Sequence, residues 1–114
     1  QHVQARNFEE AIAAFEAFIE DYPESPLRAN GHYWLGELHS SRSELDLAAE
    51  AFTTVIHDYP ESNKVPDALY KLGLLKARQG QPDESKQLLE QVQREYPDSN
   101  AAGMAGDFLS QSGL

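Results

Sequence analysis

One phrase occurs three times at a fixed spacing, and this repetition constrains the fold more than any other feature of the chain. Residues 21–25, 58–62 and 95–99 each read acid-Tyr-Pro-acid-Ser, and each copy begins 37 residues after the one before. A period of this size, with a helix-stopping proline at the end of every unit, is typical of stacked helical hairpins that bury their apolar faces on one another. The repetition therefore predicts a helical scaffold that holds a partner.

The residues between the phrases predict where the helices begin and end. Apolar side chains recur at helical spacing over residues 8–22, and a proline ends this first stripe. A second helix follows to about residue 40, a third ends at Pro60, and a fourth ends near Gly80, with Pro82 in the first turn of a fifth. A closing helix follows residue 99, and no segment has the alternation of a strand. The sequence predicts an all-helical protein.

The serine after each stop proline predicts how the following helix starts. Ser25, Ser62 and Ser99 are placed to cap free backbone amides at a helix N-terminus. We therefore expect each of the three to occupy an N-cap position.

Charge and composition narrow the classes of partner. Nineteen acidic and nine basic side chains give a formal net charge of −10, which repels nucleic acid and anionic lipid surfaces. The charge serves either solubility alone or the attraction of a basic partner. The chain has no cysteine, which excludes disulfides and thiolate chemistry. No apolar run approaches the roughly 20 residues that cross a bilayer, so we expect no membrane insertion.

Superposing the units by their period reveals a family resemblance. Leu35-Gly36 falls on Leu72-Gly73, Phe15 falls on Phe52, and the prolines stay in register. This pattern resembles the tetratricopeptide repeat (TPR), and the resemblance implies a right-handed α-solenoid of antiparallel hairpins. The implied single domain, 1–114, contains an incomplete first repeat (1–25), a second repeat (26–62), a third repeat (63–99) and a C-terminal capping helix (100–114).

The 37-residue period exceeds the usual TPR period of about 34 residues. The three additional residues fall between Ser62 and Pro66. Because nearly one helical turn is added, we expect the first helix of the repeat to be longer by about one turn.

Short sequence segments indicate a subgroup within the TPR family. Residues 30–38 and 64–73, together with the Tyr-Pro phrases, resemble the C-terminal TPR domains of the YbgF (CpoB) family of the Tol-Pal system. That resemblance implies a periplasmic, non-enzymatic scaffold that binds TolA and links it to the peptidoglycan synthesis machinery and to outer-membrane constriction during cell division. BamD-like lipoproteins of outer-membrane protein assembly share part of these sequence segments. A BamD-like module and a generic peptide-binding TPR domain are therefore the alternatives.

The partner-binding residues are expected on the first helix of each repeat, which lines the concave surface of such hairpins. Tyr33 and Tyr70 occupy equivalent positions and would form an amphipathic platform for a peptide; the alternative is that both pack between adjacent repeats. Trp34 is assigned to the core of its own hairpin. The predicted concave residues, at steps of three or four, are Asn30, Tyr33, Glu37, Ser41, Asp67, Tyr70, Leu74, Arg78, Met104, Asp107 and Gln111.

Catalytic, metal and cofactor sites are not expected. His32 and His39 lie on one helical face, but their seven-residue separation differs from the i, i+4 spacing usual for ligands on one helix. The chain lacks a nucleophile elbow, a phosphate-binding glycine loop and a His-Glu-x-x-His motif. A small-ligand or metal binder and a purely structural helical domain are the rivals to the scaffold interpretation.

The printed sequence starts inside what should be the first helix of repeat one. The predicted helix at residues 8–22 would then present an apolar flank. Self-association through this exposed first repeat is a hypothesis that follows from the flank.

Overall fold

The computed structural model describes the backbone of residues 2–22 and 24–113, and the side chains in these ranges from residue 7 onward. The described residues form helices and turns, with no strand. The prediction of an all-α fold of the TPR solenoid class is confirmed. The helices are α1 (His2–Asp21), α2 (Arg28–Ser41), α3 (Leu45–Asp58), α4 (Val65–Arg78), α5 (Pro82–Glu95) and α6 (Asn100–Ser112).

The helices group into two compact units, residues 1–62 and 63–114. In the first, which we call unit 1, α2 packs against both α1 and α3. In unit 2, α4 pairs with α5, and α6 packs on both of them. A cluster of Ile19, Leu35 and Ala51, with Ile12, Phe15 and Phe18 packed against it, joins the three helices of unit 1. The core of unit 2 consists of Val65, Ala68, Leu69, Leu72, Leu75, Leu89, Val92, Ala101, Ala102 and Ala105.

A glycine lets the two helices of each hairpin approach closely. A Cβ atom built on Gly36 of α2 would lie 2.6 Å from Cε1 of Phe52 on α3. A Cβ atom on Gly73 of α4 would lie 2.7 Å from Cδ2 of Leu89 on α5. These separations are shorter than the contacts of real Cβ atoms, so a side chain at either crossing would require the facing residue to move.

The Tyr-Pro phrases form hydrogen-bonded turns. The backbone N–H of Tyr59 donates to the carbonyl of Val55 at 3.2 Å, and the N–H of Ser62 then donates to the carbonyl of Tyr59 at 2.9 Å. Tyr96 and Ser99 repeat this arrangement at the end of α5. Proline suits the second position of such a turn because its fixed φ matches the turn and no N–H is required there.

The N-caps differ from the prediction at two of three sites. Ser99 does cap α6, since its Oγ accepts from the backbone N–H of Ala102 at 3.0 Å. Ser25 and Ser62 are not N-caps, because α2 and α4 begin three residues later and have Leu27 and Lys64 at this position without a side-chain cap. The Oγ of Ser25 instead accepts from the N–H of Leu27, inside the turn.

The prediction that the first helix of the repeat is longer by about one turn is also wrong. Helices α2 and α4 each contain 14 residues, the same length as α3 and α5. The additional residues of the period lie in the turns that precede α2 and α4, where residues 22–27 and 59–64 separate the helices. Only residues 96–99 separate α5 from α6. The first helix of the chain also begins earlier than predicted, at His2.

Helices α2 and α4 end in the same backbone motif. After α4, the N–H of Gln81 donates to the carbonyl of Lys76 and that of Gly80 to the carbonyl of Ala77, with φ of Gly80 at 78°. This is the Schellman motif, with glycine in the left-handed position, and it ends α4 near Gly80 as the sequence predicted. After α2, Ser43 takes the same position with φ of 60°.

Candidate partner-binding surfaces

An exposed tryptophan marks one face of α2. Trp34 is 44% exposed, which is unusual for so large an apolar side chain. Asn30, Glu37 and Ser41 lie four residues before it, three after it and seven after it, so the four side chains follow one stripe along the helix. We call these four residues the α2 stripe. It combines one large aromatic contact area with short polar groups beside it.

Tyr33 and Trp34 differ in exposure in the sense opposite to the one that the sequence suggested. Tyr33 is only 6% exposed, and its ring packs edge-on against Phe52 with centroids 5.6 Å apart. Trp34 packs edge-on against Tyr33 at 5.2 Å and keeps its outer side accessible. The assignment of Trp34 to the core is therefore wrong, and Tyr33 contributes to packing within its own hairpin. The reason is the position of Phe52, which lies across from the face of α2 that bears Tyr33 and Gly36.

The predicted contact residues of unit 2 remain on the surface to different degrees. Asp67, Tyr70 and Leu74 of α4 are half-buried, and Arg78 at the end of the same helix is exposed. Asp107 of α6 is also exposed. Their role in binding a partner stays a prediction.

An apolar groove runs between α1 and α2 in unit 1. It has a volume of about 550 Å³. Asn30 is the only polar residue among those that line it, the others being Ala11, Ala14, Phe15, Phe18, Leu27 and Gly31. Leu27 at its edge is 56% exposed. We call this depression the α1 groove.

His32 and His39 take part in separate structural interactions. The ring of His39 donates through Nδ1 to Oε1 of Glu44 at 2.8 Å, and this hydrogen bond, aided by the nearby charge of Arg42, lowers the pKa of Glu44. His32 lies 5.7 Å from the ring of Tyr59, and burial lowers its pKa, with the charge of Arg28 acting in the same direction. Among the described residues, no three His, Asp or Glu side chains are arranged to hold a metal ion.

Family models account for most of the chain. Two tetratricopeptide repeat models match, one over residues 2–63 and the other over residues 67–99. The chain belongs to the tetratricopeptide repeat family. Its helical hairpins, its Tyr-Pro turns and the glycines at its helix crossings agree with this membership. The TPR is a protein-interaction module.

Two curated relatives from Pseudomonas putida, both named cell division coordinator CpoB, are similar to part of this TPR chain. Each is 41% identical to it over 43 residues, which is 38% of this chain. The match spans 16% of the length of either relative. The likeness therefore concerns a short segment of proteins that are much longer than the matched region.

None of the described helices combines the length and the apolar character needed to cross a membrane.

Proposed function

We propose that this TPR chain is a non-enzymatic scaffold that binds TolA in the periplasm and links it to peptidoglycan synthesis and outer-membrane constriction at cell division. Three observations support this proposal. The chain is a TPR protein, it is similar over 43 residues to a cell division coordinator, and its phrasing resembles the YbgF family.

The observation that carries the scaffold proposal is the exposure of Trp34. Tryptophan is enriched among the residues that dominate binding energy at protein interfaces, because it buries a large area and loses little conformational entropy. Its contact with Tyr33, which itself packs on Phe52, holds the indole in place before a partner arrives. A preorganised aromatic side chain reduces the entropic cost of binding.

The polar residues of the α2 stripe complement this anchor. Asn30 and Glu37 are half-buried and lie on either side of Trp34. Asn30 offers both a donor and an acceptor, and Glu37 offers carboxylate oxygens, so an extended peptide could pair with them while its apolar side chain covers the indole. The net charge of −10 favours a peptide that carries basic residues.

A fluorescence titration tests this proposal directly, since Trp34 is the only tryptophan in the chain. Adding a tryptophan-free preparation of TolA should shift the emission of Trp34 to shorter wavelength as the indole leaves water. Trp34→Ala should weaken binding about 30-fold, as for a typical interface hot spot. Calorimetry of the variant measures that loss independently of fluorescence.

Leu47→Ala is the matched control, because Leu47 is exposed to a similar degree, at 46%, but lies on α3. It should bind TolA as the wild type does. Binding that is unaffected by Trp34→Ala would contradict the role of the α2 stripe. A complete absence of TolA binding by the wild type would contradict the assignment of the partner.

A further inference from the structure

Two rings lie one behind the other beneath the indole of Trp34. The ring of Tyr33 meets Trp34 edge-on with centroids 5.2 Å apart, and the same ring meets Phe52 of α3 with centroids 5.6 Å apart. Both separations are within the range that is favourable for aromatic pairs. The exposed side of α2 is therefore connected to the interior of the α2–α3 hairpin through two aromatic contacts.

The exposed fraction decreases at each step along this series. Trp34 is 44% exposed, Tyr33 is 6% exposed and Phe52 is 0% exposed. Adjacent residues of a helix point about 100° apart, so Tyr33 can face α3 while Trp34 faces solvent. Because Phe52 is wholly enclosed, it can affect the binding of a partner only through the residues that it contacts.

The packing of Phe52 leaves its ring little room to move. Its Cε1, Cζ and Cδ1 atoms lie 2.6, 2.7 and 2.8 Å from the position that a Cβ atom on Gly36 would take. The ring thus lies directly on the backbone of α2, three residues along the helix from Tyr33. A large side chain in a close-packed interior is held in one rotamer by its neighbours. Phe52 is therefore a fixed support for Tyr33.

The hairpin of α4 and α5 lacks this series of rings. The 37-residue period places Lys71, Tyr70 and Leu89 at the positions of the three aromatic residues of unit 1, from the outermost inward. Tyr70 is half-buried, and no ring of the described residues stacks on it or meets it edge-on. The tyrosine occurs in both hairpins, whereas the ring behind it and the indole in front of it occur only in unit 1.

We infer that Tyr33 and Phe52 are positioning residues for the partner-binding indole of Trp34. Tyr33 restricts the rotamers of Trp34 by direct contact, and Phe52 restricts them by holding Tyr33. The part of this inference that concerns binding rests on the proposed function, while the restriction of the indole is a property of the free protein. An indole that is already restricted loses less rotational freedom when a partner covers it.

Time-resolved fluorescence anisotropy of the free chain tests the restriction, because Trp34 is the only tryptophan. Rotamer changes of exposed side chains take picoseconds to nanoseconds, which this method resolves. Tyr33→Leu should increase the amplitude of the fast decay about twofold, since Trp34 loses the ring beside it. Phe52→Leu should increase this amplitude by a smaller factor. Tyr33→Phe, which keeps the ring, should give the wild-type decay.

Ile19→Val is the matched control, because Ile19 is a buried residue of unit 1 that lies on α1. Ile19→Val and Phe52→Leu both remove apolar volume from the core, so both should lower the melting temperature. Ile19→Val should leave the anisotropy decay unchanged.

A transfer of the tryptophan compares the two hairpins directly. Trp34→Ala combined with Lys71→Trp places the only indole of the chain on α4, where Leu89 supplies no ring behind Tyr70. The transferred indole should show a larger fast decay than the indole of the wild type.

Calorimetry with TolA extends the test to binding. Tyr33→Leu should weaken binding about three- to tenfold, which corresponds to the cost of ordering one side chain on association. Phe52→Leu should weaken binding about twofold, because its effect passes through Tyr33. Tyr33→Phe and Ile19→Val should bind as the wild type does.

Any of four results would overturn the inference. One is an unchanged decay in both Tyr33→Leu and Phe52→Leu. Another is a change in Ile19→Val equal to that in Phe52→Leu, because general loosening of the core would then explain both. The third is an indole at residue 71 that is as restricted as Trp34. The fourth is wild-type affinity for TolA in Tyr33→Leu. If the wild type did not bind TolA, the decays would still decide the restriction, so the two failures are distinguishable.

Discussion

The hairpin of α2 and α3 and the hairpin of α4 and α5 follow one plan with different side chains. Both begin after the same turn, both cross at a glycine and both close their first helix with a Schellman motif. They differ in what faces the glycine, in one buried hydroxyl, in the residue at the left-handed position and in one histidine. The comparison teaches that the shared turn, crossing glycine and Schellman motif determine the architecture. The side chains that differ between the two hairpins adjust the stability of each unit.

The largest difference concerns the crossing glycines. Gly36→Ala should lower the free energy of unfolding by about 3 kcal/mol, because the new Cβ meets the rigid, fully buried ring of Phe52. Gly73→Ala should cost about 1 kcal/mol, since Leu89 can change rotamer. Urea unfolding followed by circular dichroism measures both values.

Two further variants sharpen that contrast. Phe52→Leu, added to Gly36→Ala, should recover part of the lost stability, because a leucine facing the new Cβ can change rotamer as Leu89 does in Gly73→Ala. Gly103→Ala is the control, as nothing lies within 4 Å of its added Cβ, and it should stabilise α6 by about 0.5–1 kcal/mol through helix propensity. Equal losses for Gly36→Ala and Gly73→Ala would mean that the backbone shifts as easily in both hairpins.

The second difference is a buried hydroxyl at equivalent positions. Ser85 of α5 is 0% exposed, and its Oγ has no hydrogen-bond partner among the described residues, whereas unit 1 has Ala48 at this place. Ser85→Ala should therefore raise the free energy of unfolding by about 1 kcal/mol, and Ala48→Ser should lower it by about the same amount. Thermal and urea unfolding check both signs. A loss of stability in Ser85→Ala would show that the hydroxyl is satisfied in solution.

The third difference lies in the Schellman motifs. A left-handed conformation is favourable for Gly80 but strained for Ser43, which has a Cβ atom. Ser43→Gly should stabilise the protein by about 0.5 kcal/mol, and Gly80→Ser should destabilise it by about 1 kcal/mol. Ser41→Gly, inside the last turn of α2, should be destabilising and so separates the effect of φ from that of glycine itself. Differential scanning calorimetry resolves these small shifts.

The smallest expected effect is a dependence on pH that belongs to unit 1. His32 has a lowered pKa in the folded protein because of burial and then Arg28, with Asp58 opposing, while unit 2 has the buried Leu69 at this position. As the pH falls from about 6.5, the unfolded chain binds more protons than the folded one. Stability contributed by neutral His32 is thus complete at higher pH and declines as pH falls toward the folded pKa.

His32→Leu, which introduces the residue of unit 2, should flatten this dependence. The check is the difference in melting temperature between wild type and variant, measured at intervals from pH 8 to pH 5.5. The melting temperature of the variant should rise relative to that of the wild type as the pH falls. Parallel curves would show that His32 titrates alike in both states.

Much of the fold could be predicted because the residues that determine it act locally. A proline such as Pro60 ends a helix wherever it occurs, and the Leu-Gly pairs recur at one interval. The N-caps were harder to predict than the helix ends. Ser62 and Ser99 both follow a Tyr-Pro-acid segment, but the backbone after each serine takes a different course. The backbone of Ser99 is extended, which suits a cap, whereas two more turn residues, 63 and 64, follow Ser62 before α4 begins.

The candidate sites were only partly predictable for a similar reason. Asn30, Glu37 and Ser41 share a helical stripe whatever the neighbours are, so the stripe itself follows from helix geometry, while its role in binding stays a prediction. The choice between Tyr33 and Trp34 depends on which of them faces Phe52, and that is a property of the packed hairpin. The apolar flank of residues 8–22 was visible in the sequence, but the groove also requires Leu27 and Gly31 of the following segment.

The Tyr-Pro turn has a consequence for how such a chain can grow. Each turn is closed by its own hydrogen bonds, from Ser62 to Tyr59 and from Ser99 to Tyr96. An in-frame tandem duplication of one period therefore creates a junction whose local sequence already exists in the parent gene. Recombination can lengthen or shorten the array without the need for a new linker sequence. Each inserted copy can then diverge through the side chains that pack inside its hairpin.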